Sequence, residues 1–216
     1  MLTYETNFWS QSSSLIIAGV DEAGRGSLAG PVVAGAVSMA PDIAHTLYRR
    51  ELADLTDSKK LTAAKRELFF EILQGHSGVI IASGWCSSAE VDTLNILSAT
   101  HLAMRRAINN LGCSVDRILV DGLPVKGLPC ESLAIVKGDS KSFLIAAASI
   151  VAKVSRDRFM IELEDEYPGY GFAEHKGYGT HQHISALHRL GACAQHRHSF
   201  RPVQDVEQSL PGFEWR

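Results

Sequence analysis

The stretch IIAGVDEAGRGSLAGPVVAGAV, residues 16–37, decides how the chain folds. An apolar run ends in two adjacent carboxylates, Asp21 and Glu22. A glycine turn around Arg25 follows, and Pro31 opens a second apolar run. The spacing GRGSLAG, with Gly24, Gly26 and Gly30, superficially matches a dinucleotide-binding loop. Such a loop must open a helix whose N-terminus faces a pyrophosphate. Here PVVAGAV reads as strand, so the pair of runs predicts a β-hairpin and the dinucleotide reading fails. Two readings of the turn stay open: a hairpin that needs positive φ, or backbone that approaches a ligand closely with Arg25 available for phosphate.

Working outward, residues 1–13 form a polar arm before a first strand over about 15–20. DSKKLTAAKRELFFEIL predicts a loop and then a helix capped by Thr62. GVIIASGWC reads as a third strand. Residues 89–111 carry the strongest helical period, with Leu94, Leu97, His101, Met104, Ile108 and Leu111 stepping by three and four before Gly112. DRILVDG and SLAIVKGD predict two more strands ending at Asp121 and Asp139. Residues 142–167 read as a long, alanine-rich helix stopped by Pro168 and Gly169, with a shorter helix over 184–190. The pattern predicts an α/β fold: a sheet flanked by helices with a helical C-terminal portion. The domain expected over 14–203 is followed by a tail over 204–216.

The 216 residues are 45% hydrophobic and 21% charged, enough for one well-filled domain. The formal net charge of −3 does not by itself indicate a nucleic-acid binder. Its distribution is uneven. Residues 175–201 hold six of the nine histidines and four Lys or Arg but no Asp or Glu, while Glu162, Glu164, Asp165 and Glu166 cluster just upstream. An ordinary polar surface and a basic face for a polyanion are both compatible with this. Cys86, Cys113, Cys130 and Cys193 form no CxxC, which favours a reducing compartment. There is no signal-peptide pattern and no run near the ~20 apolar residues of a membrane span. The expectation is a soluble, cytoplasmic protein.

Three predicted strands end in acid, at Asp21–Glu22, Asp121 and Asp139. In open α/β sheets functional groups gather at the carboxyl ends of strands. Four carboxylates meeting there repel one another unless a cation neutralises them. All-oxygen donors favour Mg²⁺ or Mn²⁺ over Zn²⁺. Each acid taken singly also fits a solvated loop or a helix cap.

The motifs GVDEAGRGSLAGPVV, DSKKL, VDG, IVKGD, AAASIVAKVSRD, YPGYGF, HKGYGT and HRHSF, in this order, resemble those of bacterial ribonuclease HII over about residues 15–203. Ser27 stands where that family often has Pro. The resemblance implies a ribonuclease H-like mixed sheet. It implies an endonuclease that cleaves RNA in RNA–DNA hybrids and nicks on the 5′ side of a single ribonucleotide in duplex DNA, leaving 3′-hydroxyl and 5′-phosphate ends. It maps catalytic, metal-binding carboxylates onto Asp21, Glu22, Asp121 and Asp139, holding two Mg²⁺ or Mn²⁺ ions. The resemblance further implies that Gly24, Arg25 and Gly26 read the ribose through backbone, that Tyr178 stacks on the junction sugar, and that the protein is a monomer.

Ser58, Lys59 and Lys60 are candidate phosphate contacts, a solvated loop being the competing reading. Asp157, four residues after Lys153, is expected to form a helical ion pair or to support the site rather than ligate metal. His181, His183, Cys193, His196 and His198 match no common zinc spacing; a phosphate-facing role ranks above zinc, and plain polar surface is the alternative for several of them. QSLPGF, Gln208–Phe213, faintly resembles peptides that dock on sliding clamps. The related ribonuclease HIII carries an extra N-terminal substrate-binding domain, for which the short arm leaves no room. A non-catalytic hybrid-binding protein would lack a carboxylate. A Mg²⁺-dependent small-molecule hydrolase would leave the glycine loop and the acid-free segment unexplained.

Overall fold

A computed structural model describes residues 1–209. The elements run α1 (Thr3–Trp9), β1 (Ile17–Ala23), β2 (Val32–Met39), α2 (Pro41–Arg49), α3 (Ala63–Gly75), β3 (Val79–Cys86), α4 (Ser88–Leu94), α5 (Ile96–Asn109), β4 (Arg117–Asp121), β5 (Ser132–Ile135), α6 (Phe143–Glu166), α7 (Phe172–His175), α8 (His181–Leu190) and α9 (Arg201–Ser209). The expected hairpin forms: β1 and β2 pair antiparallel from Ala18–Ser38 to Ala23–Val33. β3 continues antiparallel beside β2, and β4 and β5 run parallel on the other side of β1. The mixed sheet, among the described residues, has the order β3-β2-β1-β4-β5.

Glycine lets helices press onto both sheet faces. A Cβ at Gly19 would lie 2.2 Å from the Leu144 carbonyl carbon, and one at Gly35 would lie 2.3 Å from the Ala148 oxygen. The alanine-rich start of α6 thus seats directly on β1 and β2, and Phe143 through Ala148 are all fully buried. On the other face, a Cβ at Gly84 would meet the Ala103 oxygen of α5 at 2.2 Å. Even Gly→Ala here overpacks the interface by roughly 1–3 kcal/mol or more.

The structure departs from the sequence expectation at several points. Residues 1–13 contain α1, which buries Glu5 and Trp9, with Leu2 buried just before it. Glu5 Oε1 accepts hydrogen bonds from Ser142 Oγ at 2.6 Å and Leu144 N at 3.0 Å, so the arm helps cap α6. The single helix expected over 89–111 is split at Asn95, whose φ of 66° breaks the spiral while its side chain caps α5 through Ser98 N. Ser87 and Glu90 form a capping box on α4, worth about 1 kcal/mol. The strand expected to end at Asp139 stops at Ile135, and Asp139 lies in a 3-10 turn, Gly138–Ser140. Pro41 opens α2, which the sequence reading passed over. At the other end α9 runs through the expected boundary at 203/204 with Val203 and Val206 buried, so helix rather than tail starts there. Most of the Gln208–Phe213 segment lies outside the described residues.

Candidate active site

The sheet brings three of the four acids to one edge, and a turn supplies the last. Val20 pairs with Val120 in the parallel ladder, so Asp21 and Asp121 leave adjacent strands side by side. Asp121 Oδ1 accepts from Gly138 N at 2.6 Å, which draws the Asp139 turn against the end of β4. Asp21 is 6% exposed, and its Oδ1 accepts from Glu22 N at 2.7 Å.

Burial pushes the Asp21 carboxyl well above its usual range, and the charges of Glu22, Asp121 and Asp139 push it further. Burial also raises Glu22, with Asp121 adding to the rise, while Arg25 opposes it through an ion pair at 3.2 Å. Asp139 is raised by burial, then by Asp121 and by Asp57, an acid that sequence reasoning missed. Burial pulls the Lys59 ammonium down, but Asp21, Asp57, Asp139 and Glu22 outweigh it and leave the net direction upward. Among the described residues, no three His, Cys, Asp or Glu side chains close into a ready-made ion cage. The acids stand within charge range of one another. All-oxygen donors under mutual repulsion fit a hard divalent cation.

Two of the acids, Asp21 and Glu22, border a cavity of about 660 Å³. Asp21, Glu22, Gly24, Arg25, Gly26, Ser58, Lys59 and Tyr178 line it, whereas Lys60 is exposed and stands outside the lining. Asp121 and Asp139 act on the Asp21 carboxyl but stand outside the lining. Arg66, Ser149 and Lys153 complete the wall, and sequence reasoning assigned none of them to the site. A second depression of about 320 Å³ shares Arg66 and Lys153 and adds Lys176. Asp157 pairs with Lys153 at 2.8 Å, as the helical spacing predicted, and with Arg66 at 4.0 Å.

The glycine loop is held from behind by two wholly buried arginines. Arg156 donates from Nε to Pro31 O at 2.9 Å, from Nη2 to Ala29 O at 3.1 Å and from Nη1 to Lys176 O at 2.9 Å. Arg197 donates from Nε and Nη2 to Gly30 O, at 3.0 and 2.9 Å, and from Nη1 to Arg25 O at 2.9 Å. Neither has an ion-pair partner among the described residues. Burial, then the nearby Arg156 charge, pushes Arg197 down to about 9, still protonated at neutral pH. Gly24 has φ of +90°, and a Cβ there would lie 2.0 Å from Arg156 Nε. At Gly26 the space is open, leaving backbone free to meet a ligand. Both arginines fall in quoted motifs, VSRD and HRHSF, but a charged residue in a motif reads as surface until its burial is known.

Tyr178 joins this loop. It forms a β-bridge with Ser27, Leu28 N donates to Gly177 O at 2.8 Å, and the ring is 37% exposed toward the cavity. Arg156 and Lys153 lie 5.5 and 5.8 Å from its ring centroid. The cleft therefore offers acids on one wall, cations on another, and backbone plus an aromatic face between them. That combination suits a phosphodiester with a sugar to be read. Of the histidines proposed to face phosphate, His183 and His196 are buried, whereas His181 and His198 are exposed.

A family model described as Ribonuclease HII matches residues 18–203. A relative named Ribonuclease HII from Coxiella burnetii (strain CbuG_Q212) is 48% identical over 208 residues, covering 96% of this chain and 98% of its own. The crystal structure of the ribonuclease H2 from Pyrococcus horikoshii OT3 aligns with a TM-score of 0.72 and 26% identity, over 90% of this chain and 98% of its own. The ribonuclease HII in the PCNA:RNase HII complex from Archaeoglobus fulgidus aligns with a TM-score of 0.66 and 26% identity, over 81% and 88%.

Proposed function

The chain belongs to the ribonuclease HII family, metal-dependent endonucleases of RNA–DNA hybrids, and we propose that it also nicks duplex DNA on the 5′ side of a single embedded ribonucleotide. The observation that carries the reading is the junction of two features: Asp21, buried and repelled by Glu22, Asp121 and Asp139, stands beside a glycine loop bridged to Tyr178.

Asp21, Glu22, Asp121 and Asp139 would hold two Mg²⁺ or Mn²⁺ ions. Bound there, such a pair supplies an activated water and a stabilised 3′-oxygen leaving group. Lys59, Arg66 and Lys153 attract and orient the phosphodiester backbone. Only the 2′-hydroxyl distinguishes the ribose, so its recognition requires a close polar contact. The backbone of Gly24–Gly26 provides that contact without an intervening side chain, and Tyr178 packs on the sugar. Ser58 and Lys59 border the phosphate path, with Lys60 further out. Hydrolysis then leaves 3′-hydroxyl and 5′-phosphate ends.

The test is a DNA duplex with one ribonucleotide, incubated with Mg²⁺ or Mn²⁺ and, as control, with chelator. One nick 5′ to the ribonucleotide is expected. Cleavage of all-DNA duplex at an equal rate, or activity in chelator, contradicts the proposal.

The Archaeoglobus fulgidus relative is seen with PCNA, which supports a second proposal, that Gln208–Phe213 docks on a sliding clamp. No binding of a 203–216 peptide to a bacterial clamp at micromolar concentration would end it. We further propose that the protein acts as a monomer in the cytoplasm, and sedimentation at micromolar concentration tests the first of these. No helix among the described residues is long and apolar enough to cross a membrane.

A further inference from the structure

Behind Tyr178 lies a chain of polar groups that the reaction does not use. His183 and His196 are fully buried, with their Nε2 atoms 3.1 Å apart. His183 Nδ1 lies 3.0 Å from the Tyr178 carbonyl oxygen. At the far end, Cys193 N donates to His196 Nδ1 at 3.0 Å, and Cys193 Sγ lies 3.2 Å from the same nitrogen.

The two ends fix every proton between them. A carbonyl only accepts, so His183 carries its proton on Nδ1 and donates to Tyr178. A backbone amide only donates, so His196 Nδ1 is bare and its proton sits on Nε2. That Nε2–H points at the bare Nε2 of His183. The result is one continuous, directed chain from Cys193 N–H through both rings to the Tyr178 carbonyl. Both imidazoles are neutral in it, and an added proton has no free site.

The backbone around each ring belongs to a different half of the cleft. His196 forms a β-bridge with Ala29, flanked by Gly30 N to Gln195 O and Arg197 N to Leu28 O, each at 2.8 Å. His196 is thus fixed to the glycine loop. His183 belongs to α8, immediately beyond the turn carrying Tyr178, and its own N–H is capped by Thr180. The ring pair therefore couples the turn bearing Tyr178 to the strand segment that holds Gly30.

We propose that His183 and His196 are positioning residues for sugar recognition: their directed hydrogen-bond chain sets the Tyr178 main chain, and hence its ring, relative to the Gly24–Gly30 loop. This rests on the reading of Tyr178 as the sugar contact. The titratable groups facing the pair are His175, stacked on His183 at 4.4 Å, with Cys193, Tyr170 and His198 around His196. Among the described residues no carboxylate hydrogen-bonds to either ring. Burial lowers both imidazoles to about 4, in keeping with a neutral pair.

The test combines kinetics and spectroscopy on the full chain. With a single-ribonucleotide duplex and Mn²⁺, His183→Leu removes the donor to Tyr178 and should raise KM about tenfold, the scale of one lost buried hydrogen bond. kcat should stay within about threefold of wild type. His183→Asn, whose amide N–H falls near the former Nδ1–H, should recover most of the loss. A purely structural role would reduce the amount of active protein, and so apparent kcat, without changing KM.

In the unsubstituted chain, ¹⁵N spectra should show His183 protonated at Nδ1 and His196 at Nε2. The opposite tautomers overturn the proposal even if the leucine variant fails to fold. So does an unchanged KM in folded His183→Leu, or an equal loss in the leucine and asparagine variants. Tyr178→Ala separates the two levels. If it leaves KM unchanged, the sugar-contact reading fails and takes this proposal with it. If it raises KM while His183→Leu does not, only the positioning role fails.

Discussion

The two sides of the cleft solve opposite problems. Along the sheet edge, Asp21, Glu22, Asp121 and Asp139 are pressed together and each of Asp21, Glu22 and Asp139 is pushed toward its protonated form. On the glycine-loop side, Arg156, Arg197, His183 and His196 are buried with every side-chain nitrogen hydrogen-bonded, almost entirely to main-chain atoms. One side stores repulsion that a cation relieves. The other spends its polar groups on holding backbone still. Substitution on the first should change chemistry while easing the fold, and on the second should loosen the fold and blur recognition.

The largest effect expected is at Asp21. Asp21→Asn keeps shape and removes a charge from the proposed metal site, so cleavage should fall by about 10³-fold or more. The metal-free protein should unfold at an equal or higher temperature, because a buried like charge is gone. A variant that keeps full activity, or loses both activity and stability, breaks the contrast.

Acid should act on the opposite side. Unfolded imidazoles titrate near 6.5, whereas His183 and His196 titrate at about 4 in the fold. Between those values the unfolded chain binds more protons, so stability is level above pH 6.5 and is lost as pH falls toward 4. Each ring contributes at most ~3 kcal/mol. Calorimetry should record a Tm lower by on the order of 10 °C across that window. ¹⁵N signals of either ring titrating near 6.5 would remove the explanation.

Arg197→Lys sharpens the comparison by keeping charge and losing the fork. A single ammonium cannot reach both Gly30 O and Arg25 O as the guanidinium does, so denaturant unfolding should show a loss of about 2 kcal/mol. KM should rise several-fold, and a silent substitution would mean the loop holds itself.

The smallest change expected is at Glu5, remote from both sides. Burial raises its carboxyl, and Oε2 has no hydrogen-bond partner among the described residues. Its folded pKa therefore exceeds the unfolded one, and its contribution is lost as pH rises through the folded value. Glu5→Gln keeps the acceptor for Ser142 and Leu144, so it should be neutral or stabilising by up to ~1 kcal/mol at pH 7, less at pH 4. Urea midpoints at the two pH values check this.

The same contrast explains what could be read from the sequence. The acids were legible because strands announce themselves as apolar runs and a charge at the end of one stands out. Asp139 reads in the sequence as a strand end, whereas β5 ends four residues earlier and a turn brings it within charge range of Asp121. The hairpin was legible because Pro31 and β-branched residues exclude a helix after the glycines. The loop-holding side was not. Its partners are carbonyls, which carry no sequence signature, and a histidine or arginine reads as surface until packing buries it. Asn95 broke the expected 89–111 helix, and Leu94 and Leu97, read as part of its apolar face, are exposed, while Met104 and Ile108 of α5 are buried. Glu5 looked like part of a polar arm because its partners, Ser142 and Leu144, lie more than 130 residues away.

The central claim is that these acids converge on divalent ions. Anomalous diffraction from crystals soaked in Mn²⁺ tests it most directly. An ion bound by Asp21 together with Asp121, Asp139 or Glu22, at roughly 2.0–2.2 Å from carboxylate oxygens, is the predicted result. Manganese bound elsewhere, with Asp121 and Asp139 turned away from Asp21, would contradict it.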